Sequence, residues 1–148
     1  MNAPNFASIL DEAPTEVERP KPLPVGTYLC VVTGAPVFGQ STKKGTPFVE
    51  FQLRPVGAYD DVDEDALEDA GGIDGKLLRA TYYTTPDAVW RLDEFHLHCL
   101  GDLDPDVSRR SRCDDVINSE ILAVVRHVPS QDNTTVYAEI ARTAPKPD

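Results

Sequence analysis

The chain lacks any apolar run approaching about 18 residues, so its sequence predicts no transmembrane helix. Its N-terminus, MNAPNFASILDEAPTEVERPKPLPV, has no basic segment followed by an apolar one, which argues against a secretory signal. Cysteine is scarce. Cys30, Cys99 and Cys113 are widely spaced and odd in number, which excludes a disulfide framework and favours a reducing, cytoplasmic setting. Catalytic motifs are missing as well: there is no Gly-x-Ser-x-Gly, phosphate loop or dinucleotide fingerprint. The chain is therefore read as a non-enzyme without cofactor or metal. His96-Leu97-His98-Cys99 looks metal-like, but on a helix the two histidines point about 200° apart and cannot share a tetrahedral ion. Asp61-x-Asp63-x-Asp65 begins like a calcium loop, yet Ala66 stands where the turn needs glycine and Gly72 where the last ligand should be.

Positive charge is also scarce overall, with 14 basic against 25 acidic residues and a net charge of −11. The acidity is not spread evenly. Residues 59–74 hold eight acids and no base, residues 86–115 a net −4, and residues 1–22 a net −2. What remains, mostly the segments that read as strands, carries eight bases against five acids. Local field decides whether an anion binds, so the total does not exclude a nucleic-acid partner.

At 148 residues the chain is long enough for one domain with a real core. Residues 1–24 read as a proline-broken tail, in which Phe6 to Glu12 has room for a short helix. Strands are expected at 26–37, 48–56, 76–84, 120–128 and 134–143. In the first, Tyr28, Cys30 and Val32 share a face; in the second, Val49, Phe51 and Leu53 make the core face and Phe48, Glu50, Gln52 and Arg54 the other. In the third, an inward Leu78, Ala80 and Tyr82 would turn Arg79, Thr81 and Tyr83 outward. Residues 57–74 read as an acidic mobile loop with room for one helical turn. Thr85-Pro86-Asp87 signals a helix start, and Val89, Leu92, Phe95, His96, Cys99 and Leu100 recur at helical spacing up to a stop at Gly101. Trp90 is expected to pack. Residues 102–118 read as a long connection with some helical turns, and 144–148 as a short tail.

The order β-β-β-α-β-β, with one helix between strands three and four, is that of a five-stranded OB-like Greek-key barrel, a fold widely used for oligonucleotides. On that plan the hairpin turn Gln40–Thr46 puts Lys43 and Lys44 at a basic tip beside Phe48. A surface that tracks a phosphate backbone and stacks bases uses such a pairing. The candidate nucleic-acid contacts are Lys43, Lys44, Arg54, Lys76 and Arg79 for phosphates, with Phe48 and Tyr83 for bases. Tyr137 is a third aromatic candidate. Arg109-Arg110-Ser111-Arg112 is surrounded by Asp104, Asp106, Asp114 and Asp115 and is expected to pair locally.

Several ordered motifs resemble those of the phage-encoded OB-fold single-stranded-DNA-binding proteins, including the group long catalogued as a phage domain of unknown function. They are Pro24-Val25-Gly26-Thr27-Tyr28 leading into strand one, the polar turn Ser41-Thr42-Lys43-Lys44-Gly45, the strand Phe48-Val49-Glu50-Phe51, and Gly72-Ile73-Asp74-Gly75-Lys76 leading into strand three. The resemblance covers about residues 23–143 and implies sequence-tolerant binding of single-stranded DNA. It also implies a role in phage replication or recombination inside a bacterial host cell, with replication or recombination proteins as further partners and oligomerisation left open. One feature departs from the family: many members end in an acidic recruiting tail, whereas this chain ends Ala144-Pro145-Lys146-Pro147-Asp148 and carries its acidic element at Asp60–Asp69. The rival expectation is a structural or accessory viral protein that uses its β-surface and acidic loop for protein contacts.

Overall fold

The computed structural model describes residues 21–147; the tail reading of residues 1–20 and the short helix within it lie outside the described residues. Five strands form one antiparallel sheet: β1 (Gly26–Gln40), β2 (Pro47–Ala58), β3 (Leu78–Tyr83), β4 (Glu120–Pro129) and β5 (Val136–Pro145). The helices are α1 (Glu64–Asp69), α2 (Trp90–Leu100) and α3 (Arg109–Asp115). Strand order across the sheet is β3-β2-β1-β4-β5. All five expected strands are present. β1, β2 and β5 run two or three residues beyond their expected ends, while β3 is shorter and excludes Lys76.

The expected closure of a barrel is not made by hydrogen bonds. β3 pairs only with β2 and β5 only with β4, so the sheet keeps two edges. The two edge strands nonetheless come within 8 Å between Cα atoms, and α2 packs against both. A helix seated at that gap holds the edges near each other without the register a ladder needs.

Alternation fixes what is buried. Tyr28, Cys30 and Val32 of β1, Val49, Phe51 and Leu53 of β2, Leu78 and Ala80 of β3, and Ile121, Ala123 and Val125 of β4 form a single core. Each set steps by two, as a pleated strand with one inward face requires. Helix α2 closes the core with Leu92, Phe95 and His96. Phe95 lies 4.7 Å from Phe51 and 5.0 Å from Tyr82 between ring centroids. Before α2, Thr85 makes one turn, its carbonyl accepting from the amides of Ala88 and Val89. Gly101 ends the helix in the left-handed conformation, its amide donating to the Leu97 carbonyl at 2.8 Å. Trp90 corrects its expected packing role: at the first position of α2 it is 55% exposed.

Both flanks of the sheet carry more order than the sequence suggests. Leu23 is buried in the core and its carbonyl lies 2.7 Å from His127 Nε2. The Tyr28 hydroxyl donates to the Pro24 carbonyl at 2.7 Å. The acidic segment starts only after β2 ends at Ala58, and its one expected helical turn is the six-residue α1, capped by the Asp63 carboxylate. Asp61 ties the segment to β1 by accepting from the Thr27 amide at 2.9 Å and the Thr27 hydroxyl at 2.7 Å, which holds its carboxyl below the usual range. Val62 then packs over Gly26: a β-carbon on Gly26 would stand 2.5 Å from Val62 Cγ2, and the residue's φ of +144° disfavours any side chain.

His96 is the one fully buried histidine among the described residues. Its Nε2 lies 3.6 Å from Cys113 Sγ, while His98, on the other side of the helix, meets the Thr143 hydroxyl at 2.8 Å. Desolvation lowers the His96 pKa from 6.5 to about 4, against a smaller opposing pull from Asp93. An unfolded chain protonates this ring near pH 6.5 and the folded chain only near 4. Stability from burying the neutral ring is therefore complete above pH 6.5 and is lost as pH falls toward 4, by roughly 3 kcal/mol in all. Urea titrations across that window should show this decline in wild type and a flatter profile in His96→Gln.

Candidate nucleic-acid interface

The β1–β2 turn is built to project its lysines. The Ser41 amide donates to the Thr46 carbonyl at 2.8 Å, the Gly45 amide to the Ser41 carbonyl at 2.9 Å, and the Thr46 amide to Ser41 Oγ at 3.0 Å. Gly45 takes a φ of +65°, which closes the turn at no steric cost. Lys43 and Lys44 stand exposed at the tip. They line, with Tyr83 and Thr85, a groove of about 560 Å³ between the turn and the end of β3.

Phe48 and Tyr83 face each other across the β2–β3 ladder, edge to face, with centroids 6.4 Å apart. Phe48 is half-buried because its ring lies on Gly39, its partner across the β1–β2 ladder; a β-carbon there would come 2.8 Å from Phe48 Cζ. So Phe48 neither packs under a loop nor stands free. It backs Tyr83, which, 45% exposed, is the accessible ring.

Farther along the same face, Glu50 is opposite Thr81 and Gln52 opposite Arg79. The Glu50 carboxylate lies 3.8 Å from the Arg79 guanidinium and 3.4 Å from the Thr81 hydroxyl. Arg79 keeps 75% of its side chain exposed, so this partner restrains it without covering it. Arg54 is exposed beyond Gln52, at the far end of β2, where it pairs with Val31 of β1 rather than with β3. Lys76 lies just before β3 and donates to the Lys21 carbonyl at 3.2 Å. Lys76, Leu77 and Arg79 line one wall of a second groove, of about 820 Å³, whose other wall is Val136, Tyr137 and Glu139 of β5. Lys21, at its rim, pairs with Asp69 of α1. The turn before β5 is rigidified by Asp132, which accepts from the Ser130 and Thr134 hydroxyls and is held down to about 2 by those bonds.

The seven residues singled out from the sequence thus fall into two clusters joined by β3. Lys43, Lys44, Phe48 and Tyr83 gather at the turn end. Arg79 and Lys76 border the second groove, where Tyr137 is 53% exposed. Arg54 stands apart from both grooves. From Lys76 to Tyr83 the strand path spans roughly 23 Å at strand rise.

Two residues escaped the sequence reading. Phe38 is 46% exposed, with the Arg110 guanidinium 4.6 Å from its ring centre. A register irregularity between Thr33 and Val37 shifts the alternation that would have placed it. The other is Trp90, which lies in sequence between the apolar positions Val89 and Leu92. Among the described residues the basic run does not pair with the carboxylates of Asp104, Asp106, Asp114 and Asp115 that flank it in sequence: Arg109 grips Asp93 of α2 through two bonds of 2.8 and 2.9 Å, and Arg112 donates to the Asp104 backbone carbonyl at 2.7 Å. None of the three thiols is activated; burial raises Cys30 and Cys99 to about 12 and Cys113 to about 11. Among the described residues no helix is long and apolar enough to cross a membrane. The chain matches no protein-family model and no curated protein.

Proposed function

We propose that this protein is a non-enzymatic, sequence-tolerant binder of single-stranded DNA. The observation that carries the reading is the conjunction of two exposed lysines and an accessible tyrosine on one groove, with Phe48 edge-to-face against the tyrosine. Strand order β3-β2-β1-β4-β5, the placement of α2 between β3 and β4, where a second short helix, α3, stands beside the single helix expected, and the close approach of β3 and β5 support an OB-like barrel whose seam is bridged by α2. The strand of DNA runs along β3 from the lysine turn toward Lys76. Lys43, Lys44, Arg79 and Lys76 neutralise phosphates, with Arg54 as an outlying contact; Tyr83 stacks a base against the Phe48 edge. By the family resemblance, this binding serves phage replication or recombination in a bacterial host.

Glu50 is the one acid in the middle of this face, and a phosphate must compete with it for Arg79. Glu50→Gln removes that competitor and keeps an acceptor for Thr81. Its expected result is tighter oligo-dT binding, by about twofold to fivefold, in line with an exposed ion pair worth up to about 1 kcal/mol. Fluorescence anisotropy checks it; weaker binding would assign Glu50 to the site's framework instead. The turn is tested by Lys43→Ala/Lys44→Ala, which should flatten the dependence of log affinity on log salt by about 1.4. Binding that is unchanged by the double substitution would remove the turn from the interface.

A further inference from the structure

The open seam between β3 and β5 is a cavity of about 580 Å³, lined by Arg79, Arg91, Arg126 and Arg142 against Glu94 and Glu139. Four arginines around one cavity are conspicuous in a chain of net charge −11. Two of them are occupied: Arg126 pairs with Glu139 at 2.9 Å and Arg79 with Glu50 at 3.8 Å. Arg91 and Arg142 make no ion pair among the described residues. Trp90 stands on the same cavity, largely exposed, with the Arg91 guanidinium 5.3 Å from its ring centre. Arg79 and Glu139 line both this cavity and the groove beside Tyr137, so the two are continuous.

We propose that the Trp90–Arg91–Arg142 seam is a second contact for the same DNA strand, which leaves the β3 groove past Arg79 and crosses the sheet edge onto α2. This rests on the single-stranded-DNA reading above. An exposed indole with arginines beside it supplies stacking and phosphate neutralisation together, as single-strand binders require. The seam is open because β3 and β5 are not laddered, so strand-to-strand hydrogen bonds do not have to break for DNA to lie across it.

Trp90 is the chain's only tryptophan, so its emission reports on this site alone. The experiment titrates the full chain with labelled oligo-dT of about 20 nucleotides, a length above a typical single-fold site. Anisotropy reads binding and tryptophan emission reads the seam. The expected result is quenching of Trp90 in step with binding, and an affinity loss of about fivefold to tenfold in Arg91→Ala/Arg142→Ala, with a salt dependence flatter by about 1.4. Binding seen by anisotropy with Trp90 emission or affinity unaffected overturns the seam and leaves the β3 groove standing. No binding by anisotropy at low salt overturns both.

Discussion

Replacing Phe51 with alanine should lower stability by about 3–5 kcal/mol, the range for a large ring removed from a closed core. Phe51 is fully buried in the middle of β2, with Phe95 at 4.7 Å, Tyr82 at 6.2 Å and His96 at 6.3 Å between centroids. It is the ring through which the sheet holds α2. Because α2 packs against both β3 and β5, the loss also loosens the seam between them. The cost is a large share of the roughly 5–15 kcal/mol that keeps a domain folded. A thermal melt followed by circular dichroism should show a midpoint lower by about 10–20 °C. A shift of only a few degrees would mean that α2 is held by something other than this aromatic cluster.

Tyr83→Ala should weaken oligo-dT binding by about fivefold to 150-fold, corresponding to about 1–3 kcal/mol per stacked base. Nearly half the residue is exposed, so the substitution should cost only about 0.5–1.5 kcal/mol of stability, the value of its edge-to-face contact with Phe48, and leave the chain folded. Tyr83→Phe keeps the ring and should bind within about twofold of wild type if stacking, not the hydroxyl, provides the contact. Anisotropy on the three proteins separates these outcomes. Equal loss in both variants would replace stacking with a hydroxyl hydrogen bond. Full retention in Tyr83→Ala would take the aromatic pair out of the interface.

The parts of the fold legible in the sequence were those with strict alternation. Tyr28-x-Cys30-x-Val32 and Val49-x-Phe51-x-Leu53 declare their inward faces outright, and both sets are buried. The stop of α2 at Gly101 was legible because its turn chemistry is local; the start was not, since the signal at Thr85-Pro86-Asp87 makes one separate turn and the helix begins only at Trp90, with no side-chain cap. The two β1 irregularities were not legible. One lies between Leu29 and Cys30, the other between Thr33 and Val37, and past the second the face of each residue depends on pairing with β2. That is why Phe38 was passed over. Trp90 was hidden by a different effect: an apolar residue between core positions looks buried until the first turn of the helix is placed against the sheet.

The acidic segment shows the limit of arguing from charge. Eight acids without a base predict repulsion and a loose loop. A buried Val62, the Thr27 anchors on Asp61 and a capped α1 give residues 61–69 defined contacts instead. For the candidate site, lysine, tyrosine and arginine positions were legible as residue types, but their division into two grooves was not. Lys76 and Arg79 meet Tyr137 only because β5 folds back toward β3, which no local pattern encodes.

The central claim is tested most directly by the affinity of the full chain for oligo-dT at two salt concentrations. The five basic contacts of the sheet face predict a slope of about −3.5 in log affinity against log salt, so binding should weaken at least roughly 100-fold between about 50 and 200 mM, and the two seam arginines steepen the slope to about −4.9. Measurable binding at low salt with a slope in that range is the predicted result. Absence of binding at the lower salt would contradict the account.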